Sequence, residues 1–336
     1  MDLLEKPEPT VIRKTNIVSS LLILIGFVLL GLFLGQAIAF VGILPLFNYD
    51  FQNIQQALAN PMSSPQAKSA LLILQAATSI FGFIIAPLLH YRLIDRQLLT
   101  PLMPYFGSAR LSPAQSTDKE ASPLAVRFPT SVAVLGVVFL LMIAFMFANS
   151  VIIEWNMNLD FSGISPAFEE WAKTKEGELK ELTEYLTQFN SISGLLIGLV
   201  VIAVLPAVGE ELLFRGLVQP KLHKLVGNHH VAIWLAALLF SAIHLQFYGF
   251  FPRLLLGALF GYLFYWSGNL WYAIFAHFVN NGFTLFMLYL YQQEITDIDL
   301  EATESVAWPV VLAATVAGAF LLHQFRQMTR LKQLDE

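Results

Sequence analysis

The chain has 336 residues, of which 56% are hydrophobic and only 13% charged, with a formal net charge of −5 and a mean hydropathy of +0.63. A soluble domain carries about 25% charged residues, so a soluble globule is excluded, and nucleic-acid binding and disorder go with it. Cysteine is absent, which removes disulfide scaffolds, cysteine-ligated zinc, iron–sulfur clusters and thiol nucleophiles.

The apolar residues fall in runs long enough to cross about 30 Å of hydrocarbon as helices. In chain order the runs cover residues 17–45, 69–90, 130–152, 193–218, 231–248, 253–267, 270–291 and 307–325. They predict an all-α polytopic membrane protein, a bundle of about eight transmembrane helices. A tail, 1–16, precedes the first run, which carries Arg13 and Lys14 ahead of it and Ala37-Ile38-Ala39 within it. That run is far longer than a signal-peptide core and is read as an uncleaved span. A linker at 92–129, rich in Pro, Ser and charge from Ser108 onward, separates the second and third runs. An acidic segment, 154–190, follows the third. Its Phe168, Trp171, Leu179, Leu182, Leu186 and Phe189 recur at helical spacing, so it predicts an amphipathic helix lying on the outer face or capping the bundle, read as a solvated connector without a catalytic part. The chain is thereby divided into helices 1–3 (17–192), a central unit (193–291), and an acidic loop with the last helix and a basic tail (292–336).

Orientation follows the basic residues, because loops rich in Lys and Arg stay cytoplasmic. With the N-terminus inside and eight spans, 13 of the 19 Lys and Arg fall on the cytoplasmic side and five outside. Both termini are therefore expected in the cytoplasm.

Ionisable groups at a helix centre cost about 2.5–3.5 kcal/mol each on insertion scales, and most spans avoid them. The exceptions are Glu210, Glu211 and Arg215 in the fourth span, His244 in the fifth, and His277 with Asn281 in the seventh. Glu211 and Arg215 stand four residues apart and predict a buried ion pair. Phe240 with His244, and His277 with Asn281, share that spacing. If the fourth and fifth spans turn at Gly227-Asn228, Glu210 and His244 lie at one depth, and His277 falls about 7 Å short of it. The other histidines, His90, His223, His229, His230 and His323, fall in loops or at span ends and are read as interfacial.

Two carboxylates, two histidines and an amide hold no nucleophile better than water, so the chemistry they suit is hydrolysis of a polarised carbonyl. Glu210 is the candidate base. Two routes stay open. In one, His244 and His277 join Glu210 or Glu211 as ligands of a divalent metal, zinc foremost. In the other no metal takes part: Glu210 and His244 position the water, and His277 and Asn281 donate to the oxyanion. A proton- or cation-coupled transporter and a non-catalytic immunity or regulatory protein are the competing readings.

The ordered set Glu210-Glu211-x-x-x-Arg215, Phe240-x-x-x-His244 and His277-x-x-x-Asn281 resembles the motifs of the CPBP family. These are the CAAX-processing and bacteriocin-processing intramembrane proteases, which include the type II CAAX prenyl endopeptidases. The resemblance covers about residues 193–291. It implies an endopeptidase, of a kind commonly called a metalloprotease although a metal-free glutamate mechanism is also argued for the family, in the plasma membrane of a bacterium and acting on membrane-associated proteins or peptides. It further implies Glu210, Glu211, His244, His277 and Asn281 as active-site residues, with Arg215 and Phe240 in support.

Overall fold

The structure is a computed structural model in which residues 17–95, 131–297 and 306–334 are described. The tail 1–16, the linker from residue 96 onward and positions 298–305 of the second acidic loop lie outside the described residues. Among those described, every regular element is helical.

Ten helices follow one another: α1 (Ile17–Ile43), α2 (Phe51–Ala59), α3 (Ala67–Leu93), α4 (Val132–Met157), α5 (Pro166–Thr187), α6 (Ile192–Val226), α7 (His229–Ala242), α8 (Phe250–Ser267), α9 (Leu270–Gln292) and α10 (Trp308–Leu334). Seven of the helical segments are long and apolar enough to cross a membrane. The expected fifth span is the exception. It forms α7, which has 14 residues and rises about 21 Å, well short of about 30 Å of hydrocarbon. The apolar run continues to residue 248, but the chain leaves the helix at Ile243 and turns through Leu245 at φ 54°. The turn between α7 and α8 therefore sits inside the bundle's thickness.

Wide i→i+5 turns interrupt α3 at Thr78–Ile85 and α6 at Leu199–Val204 and Leu212–Val218. Each stretch ends two residues before a proline: Pro87, Pro206 and Pro220. A proline ring clashes with the carbonyl four residues back and offers that carbonyl no N–H, and a widened turn relieves the clash without breaking a helix whose backbone has no water to bond.

Hairpin α7–α8 packs closely because α8 presents Gly257 and Gly261, four residues apart, to α7. A Cβ at Gly261 would approach Ile233 Cγ2 to 2.8 Å, and one at Gly257 would meet Ala237 Cα at 3.3 Å. Small residues at this spacing let helix backbones approach in lipid. The main core then gathers α4, α8, α9 and α10 around Val138, Met142, Phe260, Leu263, Ala273, Ala276 and Phe325.

Helix α5 is solvated along most of its length and packs through its apolar face. Phe168 and Trp171 lie on Phe247 at 5.0 and 5.5 Å between ring centroids, and Phe161 lies on Tyr248 at 5.9 Å. Its C-terminal end is tied to α9, where Gln292 Nε2 donates to Thr187 O at 3.1 Å and Phe189 N donates to Gln292 Oε1 at 2.8 Å. The acidic segment thus caps the end of the bundle at which α7 stops short, over the turn that carries Phe247 and Tyr248. His90 also departs from expectation: it is fully buried, with Nε2 donating to Ser20 O at 2.9 Å.

Candidate active site

Helices α6, α7, α8 and α9 meet at the ionisable cluster. The pair expected from spacing forms within α6: Arg215 Nη1 donates to Glu211 Oε1 at 2.7 Å, with both side chains buried. Arg215 Nη2 donates to Gly257 O on α8 at 2.7 Å, and the guanidinium lies 4.7 Å from the Phe240 ring centroid and 5.3 Å from that of Phe260. One cation thus joins three helices and offsets part of the cost of burying Glu211.

His277 is set by the same carboxylate. Its Nδ1 donates to Glu211 Oε1 at 2.9 Å, and its ring stacks on Phe260 at 5.1 Å with 19° between planes. With the Nδ1 proton committed to Glu211, the neutral tautomer of this ring is the one that carries its lone pair on Nε2. Nε2 faces Glu210 Oε2 at 3.9 Å. Glu210, a step round the helix from Glu211, is the partly exposed carboxylate of the two, at 14% against 0%. His277 thus reaches both glutamates, whatever the difference in depth of about 7 Å that spacing gives between it and His244.

His244 sits beyond the end of α7, not on its face. Its Nδ1 donates to Phe240 O at 2.8 Å, capping the last turn, so its neutral ring also carries the lone pair on Nε2. Phe240 stands edge-on to both histidines, at 5.2 Å from His244 and 6.0 Å from His277. Asn281 Nδ2 donates to Ile202 O at 3.3 Å. That carbonyl is four residues before Pro206 and lacks the usual helical donor, so the amide mends the proline's gap while standing one turn from His277.

The α7–α8 turn is held from several sides, by residues that the motifs do not include. Asn156 of α4 donates from Nδ2 to Phe247 O at 2.9 Å and accepts from Phe251 N at 2.8 Å. Ser241 Oγ donates to Phe250 O at 2.7 Å. Arg253, one turn into α8, donates from Nη2 to Gln246 Oε1 at 2.7 Å. On the cap, burial raises the Glu176 carboxyl above the usual carboxylate range, and the charge of Arg253 opposes that rise.

Among the described residues, no three His, Asp or Glu side chains converge as a metal ion requires. The only oxygen of Glu211 with hydrogen-bond partners serves Arg215 and His277 together. The arrangement as it stands does not fit the zinc set of His244, His277 and a glutamate, and no step below is routed through a metal.

Residues 192–283, from the start of α6 to well within α9, match the family model described as Type II CAAX prenyl endopeptidase Rce1-like. The segment that carries the site is therefore similar to the type II CAAX prenyl endopeptidases that this model describes. A protein of Bacillus subtilis (strain 168), described as Uncharacterized protein YpbD, is 31% identical over 85 residues, covering 24% of this chain and 40% of the relative. The chain thus spans well under half the length of the curated relative it matches. No solved structure matches.

Proposed function

We propose that the protein is an intramembrane endopeptidase that hydrolyses peptide bonds of membrane-associated proteins or peptides with water activated by Glu210. The observation that carries this reading is the facing pair Glu210 Oε2 and His277 Nε2 at 3.9 Å. A water about 2.8 Å from each atom would subtend roughly 90° between them, close to the angle at which one water donates to two acceptors. Its lone pairs then point away from both, toward a carbonyl.

In the reaction Glu210 takes a proton from the water as the oxygen bonds to the carbonyl carbon. The tetrahedral intermediate collapses as the C–N bond breaks, and Glu210 returns the proton to the departing amine. His277 orients the water through Nε2, and Glu211 fixes the tautomer that makes this possible. His244, whose Nδ1 is held by Phe240 O, keeps its Nε2 lone pair for the same cluster, across the Phe240 ring from His277. Arg215 acts at one remove, by holding Glu211 in place. Glu210 is 18 residues into α6 and keeps 14% of its side-chain exposure, and substrate and water reach it from that exposed side.

The test compares peptides released from membranes containing the wild-type protein with those from the Glu210→Gln variant, alongside a metal-stripped wild-type sample. Cleavage by the stripped wild type and none by Glu210→Gln is the expected result. Cleavage by the variant at the wild-type rate would end the reading, and loss of activity on stripping, restored by zinc, would replace it with a metal-assisted one.

A further inference from the structure

The side chain of Arg253 enters the region of the site from α8 and is left short of a partner. Its Nη1 is buried without a hydrogen-bond acceptor, while Nη2 is satisfied only by the neutral Gln246 amide. The guanidinium folds back over the α7–α8 turn: a Cβ at Gly249 would lie 3.3 Å from Nη2 and 3.6 Å from Nη1, so the glycine makes room for it. Gln246 is two residues from His244, which places the free nitrogen on the turn that presents His244. The charge of Arg253 acts on Glu210 and on His244. A buried guanidinium without a hydrogen-bonded anion is costly, and a carboxylate is the group that a planar fork with one free nitrogen best receives.

We propose that Arg253 is a specificity-determining residue whose free Nη1 receives a carboxylate of the substrate, so fixing which peptide bond lies over Glu210. This rests on the peptidase reading above. The carboxylate comes either from the substrate's C-terminus or from an Asp or Glu side chain close to the cleaved bond. Glu176 of α5, which the charge of Arg253 also reaches, fills the same electrostatic role from the cap when no substrate is present.

Three pools of N-palmitoylated peptides of mixed sequence decide the matter, offered to the full-length protein in vesicles. One pool has free C-termini and lacks Asp and Glu, a second is amidated and lacks them, and a third is amidated and contains them. The wild type should favour the first or the third pool over the second by about 10- to 100-fold in kcat/KM, carried mainly by KM, as a hydrogen bond to a charged group would give. Which of the two wins names the source of the carboxylate. Arg253→Gln should bring the ratio to within about twofold, and Arg253→Lys should keep part of it. Equal use of all three pools by the wild type, or a preference that survives Arg253→Gln, overturns the proposal. Should the Arg253 variants not fold, Gly249→Ala crowds the guanidinium and should weaken the preference, and an unchanged preference there counts against the proposal. Should no pool be cleaved, the peptidase reading is what fails. The rise in melting temperature of the wild-type protein with each pool then decides on Arg253, a larger rise with the carboxylate pools supporting it and an equal rise overturning it.

Discussion

Among the described residues, two polar networks tie helices of this bundle together, and they differ in what they leave unspent. At the end of the bundle away from α5, Lys221 of α6 donates to both oxygens of Asp95 at 2.8 Å and to Ser20 Oγ at 2.9 Å, and His90 bonds the Ser20 carbonyl. These contacts tie α1, α3 and α6 together and consume the charged groups that make them. In the site, Arg215, Glu211 and His277 form an equally tight chain, yet it ends on a lone pair at His277 Nε2 that faces the partly exposed Glu210. Polar groups in lipid are costly in both places. The first network uses them to join helices, and the second uses some of them to aim others.

That contrast is broken most severely at Glu210. Glu210→Gln keeps the volume and removes the base, so kcat should fall by about 10²- to 10⁴-fold with little change in detergent melting temperature. Arg215→Ala acts in the reverse order. It leaves Glu211 buried without its cation, a loss of about 3–5 kcal/mol, and lowered melting temperature and yield should precede any kinetic effect. Lys221→Met, in the other network, should cost about 1–3 kcal/mol because Asp95 and Ser20 lose a partner, and cleavage per folded molecule should stay at the wild-type level. If Lys221→Met reduced kcat as Glu210→Gln does, the distinction between the two networks would be wrong.

Finer effects sharpen the comparison. Asn281→Ala withdraws the donor that serves Ile202 O below Pro206. A loss of about 1 kcal/mol of stability with kcat near normal would mark it as a helix-mending residue. A fall of about 10²-fold in kcat would mark an oxyanion donor, and we expect the first as the minimum and the second only if the amide turns from Ile202. The smallest perturbation is topological. In the cysteine-free chain, Thr174→Cys on α5 should react with an impermeant thiol reagent in intact cells and Lys224→Cys should not, as the 13-to-5 distribution of basic residues predicts.

The long helices were legible in the sequence because apolar runs of about twenty residues have few other uses. The Glu211–Arg215 pair was legible for a similar reason, since spacing of four on one helix leaves little freedom. The end of α7 was not. Its apolar run passes through Phe240-Ser241-Ala242-Ile243-His244-Leu245 without a break, and what stops the helix is tertiary. Asn156 and Ser241 bond the backbone of the following turn, and His244 itself caps Phe240. That turn moves His244 off the helical face on which spacing placed it. The packing of α5 was half legible: its apolar stripe showed, but the turn it packs on, with Phe247 and Tyr248, lies there only because α7 is short. Arg253 gives no such signal: a basic residue at the start of an apolar run reads as a loop charge, and only the fold shows it lying over Gly249. The widened turns of α3 and α6 carried a signal that could have been read, a proline two residues beyond each.

The most direct test of the account is a double-mutant cycle on cleavage by reconstituted protein, using wild type, Glu210→Gln, His277→Ala and the pair together. If Glu210 and His277 act on one water, either change alone disables it, and the double variant should be no slower than the slower single variant. Losses that multiply, or a Glu210→Gln enzyme that cleaves at the wild-type rate, would contradict a water shared between these two side chains.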